Sequence, residues 1–238
     1  MAYPGGKNGS GVPQAIINQI QPHDEFVELF LGSGAVSRLK RPAAASIGID
    51  ADPAVIAQFP RDAVPGMRLL NTDALGWLKA NGQQRTAKTM MYLDPPYLKK
   101  VRKSQGRIYK YEFWTEQEHG DLLETLLPLN CMVAISGYYS ELYAELLKDW
   151  RVVTFTGVTR GGPATEHLWM NYDEPFELHD DRYLGNTYRE RQDFKRQKQR
   201  WLKNLAAMKP TKRYAIMAAI NELKAAANGG NADVAGRR

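Results

Sequence analysis

Along the first three quarters of the chain, short apolar runs rich in β-branched residues alternate with stretches whose apolar positions recur at helical spacing. Residues Phe26 to Phe30, Ser46 to Asp50, Thr89 to Leu93, Cys131 to Ser136, Arg151 to Thr156 and Glu166 to Tyr172 read as strands. A further strand is expected to end at Asp73. Ile16, Ile17 and Ile20 mark one amphipathic helix, and Leu122, Leu123, Leu126 and Leu127 mark another. Thr115 and Glu118 form a capping box in front of that second helix, and Pro128 closes it. Strand alternating with helix predicts an α/β fold with a largely parallel sheet covered on both faces. Only a stretch with Gly157, Gly161, Gly162 and Pro163 separates the last two strands, which suits an antiparallel hairpin at the sheet edge.

Beyond Leu178 the pattern changes. Thr187 and Glu190 form another capping box, after which Phe194, Trp201, Leu205 and Met208 share one helical face. Pro210 and Thr211 break and restart the chain, and Ile216, Ile220 and Leu223 make a second stripe ended by Asn228-Gly229-Gly230. The expected organisation is a main domain over residues 1–178, a helical hairpin over 179–228 and a disordered tail over 229–238. The hairpin should have one apolar seam and a basic outer face.

Composition narrows the class. Hydrophobic residues make up 43% of 238 residues, enough for a sizeable core. No apolar run reaches membrane-spanning length and no signal-like stretch opens the chain, so a soluble, cytoplasmic protein is expected. A single cysteine, Cys131, excludes an intramolecular disulfide and a cysteine-based metal cluster. The four histidines show no ligand spacing, so no metal is expected.

The net charge of +6 is modest but unevenly placed. Lys99, Lys100, Arg102, Lys103, Arg107 and Lys110 crowd one stretch; Arg189, Arg191, Lys195, Arg196, Lys198, Arg200 and Lys203 crowd another. Either cluster alone reads equally well as a solvated face. Together, with Tyr109, Tyr111, Phe113 and Trp114 interleaved in and after the first, they point to a polyanionic partner such as nucleic acid.

The candidate chemistry begins with Asp94-Pro95-Pro96-Tyr97, straight after the apolar run Met90 to Leu93. A proline-rich turn with an incidental carboxylate would look similar. Its position at a strand's carboxyl end, where open α/β sheets bind ligands, favours a site. Phe30-Leu31-Gly32-Ser33-Gly34 follows another strand, and Gly32 and Gly34 would let the backbone turn sharply beside a ligand. The next strand ends in Asp50, about twenty residues after this turn, a position suited to accept hydrogen bonds from ribose hydroxyls. Asp73 is placed to meet an adenine end. The dinucleotide fingerprint lacks its third glycine, and no Walker-type Lys-Ser/Thr pair is present to hold a triphosphate. The pocket is suited to a nucleoside without a phosphate chain.

These motifs, in this order, resemble those of the Dam-like, alpha-group DNA adenine-N6 methyltransferases. Tyr3-Pro4-Gly5-Gly6-Lys7 is similar to that family's N-terminal motif, and Glu28 to Gly34 to its cofactor loop. Asp50 and Asp73 match its ribose-side and adenine-side acids, and Asp94 to Tyr97 its catalytic motif. Phe113, Glu116 and His119 resemble the start of the helix after the catalytic strand, and Glu166 to Tyr172 the closing strand. The likeness covers about residues 1 to 175; the basic C-terminal segment is similar to the tail of phage-type members.

The resemblance implies a Rossmann-like methyltransferase sheet, S-adenosylmethionine as donor and double-stranded DNA as partner. It implies catalytic roles for Asp94, Pro95, Pro96 and Tyr97, and donor contacts from Tyr3, Lys7, Phe30, Gly32, Gly34, Asp50, Asp73 and Asp94. Lys99, Lys100, Arg102, Lys103, Arg107, Lys195, Arg196 and Lys198 are the candidate nucleic-acid contacts. The family usually inserts a recognition domain between the adenine-side acid and the catalytic motif, whereas only about twenty residues separate Asp73 from Asp94 here. Specificity is then relaxed, or comes from residues 98–111, the loop 157–165 or the C-terminal helices. Methylation of RNA adenine or of a protein amide, and a catalytically silent nucleic-acid-binding relative, are the alternatives.

Overall fold

The computed structural model describes residues 11–101, 111, 113, 115–159 and 162–235. Two compact units divide the chain, Met1–Tyr183 and Leu184–Arg238. The first holds seven strands: β1 (Glu25–Leu29), β2 (Ala45–Asp50), β3 (Arg68–Asn71), β4 (Thr89–Leu93), β5 (Met132–Gly137), β6 (Arg151–Thr159) and β7 (Gly162–Met170). They form one sheet in the order β3-β2-β1-β4-β5-β7-β6. The pairs from β3 through to β5 are parallel, and β7 is antiparallel to both β5 and β6. This is the expected Rossmann-like α/β sheet with an antiparallel edge hairpin.

The central strands are apolar on both faces because both faces are covered. Val27, Leu29, Met91, Leu93, Val133 and Ile135 pack with residues of α4 (Ala74–Asn81), α5 (Glu116–Leu126) and α6 (Glu141–Leu146). The alternate positions Phe26, Met90, Tyr92 and Ala134 pack with α1 (Val12–Ile17) and α2 (Ala35–Leu39). Successive strand side chains point to opposite faces, so a strand buried twice over reads as one continuous apolar run. A buried Leu or Ile contributes roughly 1.5–3 kcal/mol relative to exposure.

Local signals set the helix starts. The Thr115 hydroxyl accepts from the Glu118 amide at 3.1 Å, and the Glu118 carboxylate accepts from the Thr115 amide at 2.9 Å, completing the capping box. Asp52 caps α3 (Pro53–Gln58), with Pro53 in its first turn, and Ser140 caps α6.

Three expectations need correction. The third strand ends at Asn71, and Asp73 is instead the N-cap of α4, accepting from the Gly76 amide at 2.5 Å. The loop expected over 157–165 is largely strand, because β6 and β7 pair from Arg151↔Met170 out to Thr159↔Gly162. Those ladder bonds outweigh the low strand propensity of Gly157, which lies against Glu166.

The third concerns the second unit, which holds α7 (Tyr188–Ala207) and α8 (Pro210–Ala235). The α8 helix continues through Asn228-Gly229-Gly230 instead of ending there. Glycine lowers helix stability by about 1 kcal/mol but keeps its N–H, so it weakens the ladder without interrupting it. The expected apolar seam is not buried: Phe194, Trp201, Ile220 and Leu223 are all exposed, Trp201 by 60%.

Candidate active site

Two loops leave the carboxyl ends of the neighbouring strands β1 and β4. The sheet order reverses between these strands, since β2 and β3 lie beyond β1 while β5 lies beyond β4. Open α/β sheets bind ligands at such a switch point. Leu29 pairs with Leu93, and the Asp94 amide still reaches the Leu29 carbonyl at 3.5 Å. The ladder therefore delivers Phe30 and Asp94 side by side, each one residue past the sheet.

The β1 loop is tightly coiled. Phe30, Gly32 and Gly34 all have positive φ, at 58°, 48° and 59°. For Phe30, with its Cβ, this is a strained conformation, and such strain persists only where the surroundings enforce it. Its ring packs against Phe113 at 5.3 Å between centroids. Gly34 has a packing reason to be glycine as well, since a Cβ there would meet the Phe59 ring at 2.4 Å.

Asp50 ends β2 and is held from both sides. Its Oδ2 accepts from the Gly32 amide and its Oδ1 from the Asp52 amide, each at 2.9 Å. Burial raises its pKa above the ordinary carboxylate value, and those two amide bonds oppose the rise. Asp50 is thus a fixed acceptor that ties the glycine loop to the end of the neighbouring strand. Asp73, by contrast, is exposed and occupied with capping α4. Between Asp73 and Asp94 the chain forms only α4, a short 3-10 turn and β4, leaving no independent module.

On the β4 side, Asp94 is half-buried, Pro95 is buried, and Tyr97 is half-buried. The Tyr97 hydroxyl donates to Glu166 Oε2 on β7 at 3.3 Å, and its ring sits against Tyr138 at 4.4 Å, tilted by 58°. Proline fixes φ at positions 95 and 96, so this turn has few soft dihedrals left.

Glu28, the first residue of the stretch that resembles a cofactor loop, lies inside β1 and is 3% exposed. Its Oε2 accepts from the Ser37 amide at 2.9 Å. Gly34, the N-cap of α2, has no side chain to cap that helix, and Glu28 takes over this role. Burial pushes the Glu28 carboxyl up to about 7, the Ser37 bonds oppose this, and the nearby Asp94 charge adds to it. Glu166, Tyr138 and His119 also line or support the site, and sequence reasoning does not single them out as site residues. Of these, only Glu166 and His119 carry a signal in the sequence, as polar positions within the motif-like stretches.

Tyr3, Lys7, Arg102, Lys103 and Arg107 lie outside the described residues. Lys99 and Lys100 are exposed just after the Asp94–Tyr97 turn, with Lys100 paired to Glu116 at 3.3 Å. Lys195, Arg196 and Lys198 lie on α7 in the other unit. At about 100° per residue, Arg196 falls on one face with Arg189, Arg200 and Lys203, whereas Lys198 borders the apolar stripe of Phe194, Trp201 and Leu205 and Lys195 lies between the two faces.

Among the described residues no group of three or more His, Cys, Asp or Glu side chains is placed to hold a metal ion. No described helix is long and apolar enough to cross a membrane.

Residues 79–157 match the family model of the D12 class N6 adenine-specific DNA methyltransferases. That stretch contains β4, Asp94 to Tyr97, α5 and β5. That match spans about a third of the chain, and the sheet that carries it is Rossmann-like. Comparison with curated protein sequences gives no match.

Several solved structures are similar at low identity. One is a precorrin 8w decarboxylase from Methanobacterium thermoautotrophicum, at 15% identity and a TM-score of 0.46 over 72% of this chain and 94% of that one. Another is the N-methyltransferase NodS from Bradyrhizobium japonicum, at 10% identity and a TM-score of 0.47 over 68% of this chain and 94% of that one. A third is a putative RNA methyltransferase from Pyrococcus horikoshii, at 10% identity and a TM-score of 0.47 over 71% of this chain and 83% of that one. Likeness of this degree says nothing of substrate.

Proposed function

We propose that this protein transfers a methyl group from S-adenosylmethionine to the exocyclic amino group of adenine in double-stranded DNA, as a relative of the Dam-like enzymes. One observation carries the reading. The strained glycine loop with Asp50, and the Asp94-Pro95-Pro96-Tyr97 turn, stand on adjacent strand ends at the switch point of the sheet. The match of residues 79–157 to an adenine-specific DNA methyltransferase model supports adenine in DNA over RNA or protein acceptors.

The residues fit a nucleoside donor. Each Asp50 oxygen accepts one backbone amide, and a carboxylate has about four acceptor sites, so both oxygens retain capacity for ribose hydroxyls. Phe30, Gly32 and Gly34 supply the backbone turn beside it, with Tyr3, Lys7 and Asp73 as further candidate contacts. When bound, S-adenosylmethionine supplies a methyl group on a sulfonium that a neutral amine can displace.

The adenine amino group is a weak nucleophile because its lone pair is delocalised into the ring. The Asp94 carboxylate and the Pro95 carbonyl accept hydrogen bonds from its two N–H groups, which favours a pyramidal nitrogen with an available lone pair. These bonds strengthen as positive charge develops on that nitrogen, so they stabilise the transition state more than the ground state. Tyr97, held by Glu166 and Tyr138, offers its ring to a base turned out of the duplex. Cys131 is buried and its thiol is pushed up to about 11 by burial, a poor starting point for cysteine-dependent attack on a cytosine ring.

DNA contacts come from the basic residues that follow the catalytic turn, Lys99 to Arg107, and from α7, including Lys195, Arg196 and Lys198. With no inserted recognition module, affinity rests on phosphate contacts and specificity is relaxed or restricted to a short site. The test is acceptor choice: purified protein with labelled donor is offered duplex DNA, RNA and a protein mixture in parallel. Label in DNA is expected, and label confined to RNA or protein would overturn the substrate assignment.

A further inference from the structure

His119 sits in the first turns of α5, 1% exposed, and both its ring nitrogens have polar partners. Its Nε2 lies 3.1 Å from the Pro96 carbonyl oxygen and 3.2 Å from the Phe113 carbonyl oxygen. Its Nδ1 lies 2.7 Å from the Tyr143 hydroxyl, which α6 holds at 2% exposure. Two carbonyl oxygens can only accept, so Nε2 carries the proton and donates to both. Nδ1 then presents its lone pair and accepts from Tyr143; the two carbonyls select the tautomer, and the hydroxyl anchors the other side of the ring.

Pro96 belongs to the catalytic turn, and Phe113 is the residue whose ring packs on the strained Phe30 of the glycine loop. One imidazole N–H therefore joins the backbone of the catalytic turn to the residue that braces the glycine loop, resting on an anchor in α6. Rings fix φ at Pro95 and Pro96, and a bond to the Pro96 carbonyl restrains the ψ that sets the Tyr97 peptide. What remains free between Asp94 and Tyr97 is little more than ψ at Asp94 and Pro95.

We propose that His119 is a positioning residue for methyl transfer: as an Nε2–H imidazole anchored by Tyr143, it clamps the Asp94–Tyr97 turn and the Phe113 backbone in their reactive arrangement. This inference rests on the methyltransferase reading. Burial holds the His119 pKa down, to about 4, against the two carbonyl bonds that raise it. One protonation state therefore persists across the neutral range. The clamp holds the Asp94–Tyr97 turn by a backbone bond and reaches the donor side only through the Phe113 ring on Phe30, so its main effect should fall on turnover.

The experiment compares wild type, His119→Leu, His119→Gln and Tyr143→Phe by steady-state methylation of duplex DNA and by calorimetry with S-adenosylmethionine. Removing the donor from a preorganised loop is expected to lower kcat about 10- to 100-fold in His119→Leu, with donor Kd and DNA KM within about twofold of wild type. Glutamine retains one amide donor and one acceptor, so His119→Gln should recover most of that loss. Tyr143→Phe, a nearly isosteric change, should lower kcat by an intermediate factor because Nδ1 loses its partner and the ring its second anchor.

Unchanged kcat in folded His119→Leu overturns the proposal. So does a loss of donor affinity parallel to the loss of kcat, which would mark a structural residue. Proton–nitrogen NMR of the His119 ring gives a readout independent of activity. A neutral Nε2–H form between about pH 6 and 8 is expected for a histidine held well below its usual pKa of about 6.5; the Nδ1–H form, or titration in that range, overturns the clamp. A wild-type protein that methylates no DNA would contradict the function assigned above, while the ring spectrum would still decide the clamp.

Discussion

The sheet unit and the C-terminal helical unit both carry apolar stripes at helical spacing, and only the first buries them. Ile16, Ile17, Leu122 and Leu126 are wholly inaccessible, whereas Trp201 and Leu223 are 60% and 62% exposed. In the first unit each helix has a twisted sheet face waiting for it, so the stripe finds its partner within the same unit. In α7 no residue is buried. A stripe thus states that a face is suited to a partner and leaves open which partner. The charges differ in the same way. Asp50 and Glu28 are held by backbone amides, while Arg196 has only an exposed pairing with Asp193 at 3.4 Å. Surface pairs of that kind contribute about 0–1 kcal/mol. On the proposed function, preorganised chemistry would belong to the sheet unit and salt-sensitive attraction to the helices.

The largest effect should come from Asp94→Ala, which removes an acceptor from the reacting nitrogen. Turnover is expected to fall by at least about a hundredfold while the circular dichroism spectrum stays that of the wild type. Near-normal methylation by the folded variant would break the claim that chemistry resides at the β4 turn.

The next largest concerns the helices. Reversing Arg189, Arg196, Arg200 and Lys203, which share one face of α7, should weaken DNA binding. It should also flatten the dependence of log affinity on log salt by roughly 0.9 for each phosphate that the variant no longer neutralises. Reversing Lys198, which borders the apolar stripe, should do less. Filter binding over a salt series measures both, and equal slopes in wild type and the fourfold variant would place the DNA surface elsewhere.

Asp50→Ala should then cost about 1–3 kcal/mol of donor affinity, the range for losing a charged hydrogen-bond partner. Calorimetry on the free protein reads this directly. Unchanged affinity would reduce Asp50 to a strand-end residue that merely orders the glycine loop.

The smallest effect is in acid stability. Burial holds His119 at about 4, below its value of 6.5 in the unfolded chain. As pH falls from 6.5 towards 4 the unfolded state takes up the proton first, so stability declines across that window. His119→Gln removes this proton uptake, and its Tm should fall less steeply than that of the wild type between those pH values. Parallel curves would show that His119 titrates alike in both states.

Much of this is legible in the chain. The strands near Phe26, Ser46 and Thr89 are readable because burial on both faces produces unbroken apolar runs, and the Thr115–Glu118 box marks the start of α5 within a residue. The helices α2, α3 and α6 leave no periodic signature because five or six residues span less than two turns, too few for a period to show. Asp73 reads one element too early because a carboxylate can end a strand or cap the helix after it, and the Gly76 amide decides between the two. The role of His119 is invisible in the sequence because it depends on three partners spread from Pro96 to Tyr143. Periodicity can position such a residue on a helix face, while its bonds follow from how the helices sit on the sheet.

The central claim is tested most directly by identifying the methylated nucleoside. Unmethylated duplex DNA is incubated with the protein and S-adenosylmethionine bearing a deuterated methyl group, digested to nucleosides and analysed by mass spectrometry. The account predicts labelled N6-methyldeoxyadenosine with the wild-type protein and none with Asp94→Ala. Label on cytosine, or no labelled nucleoside from a protein shown to bind the donor, would contradict it.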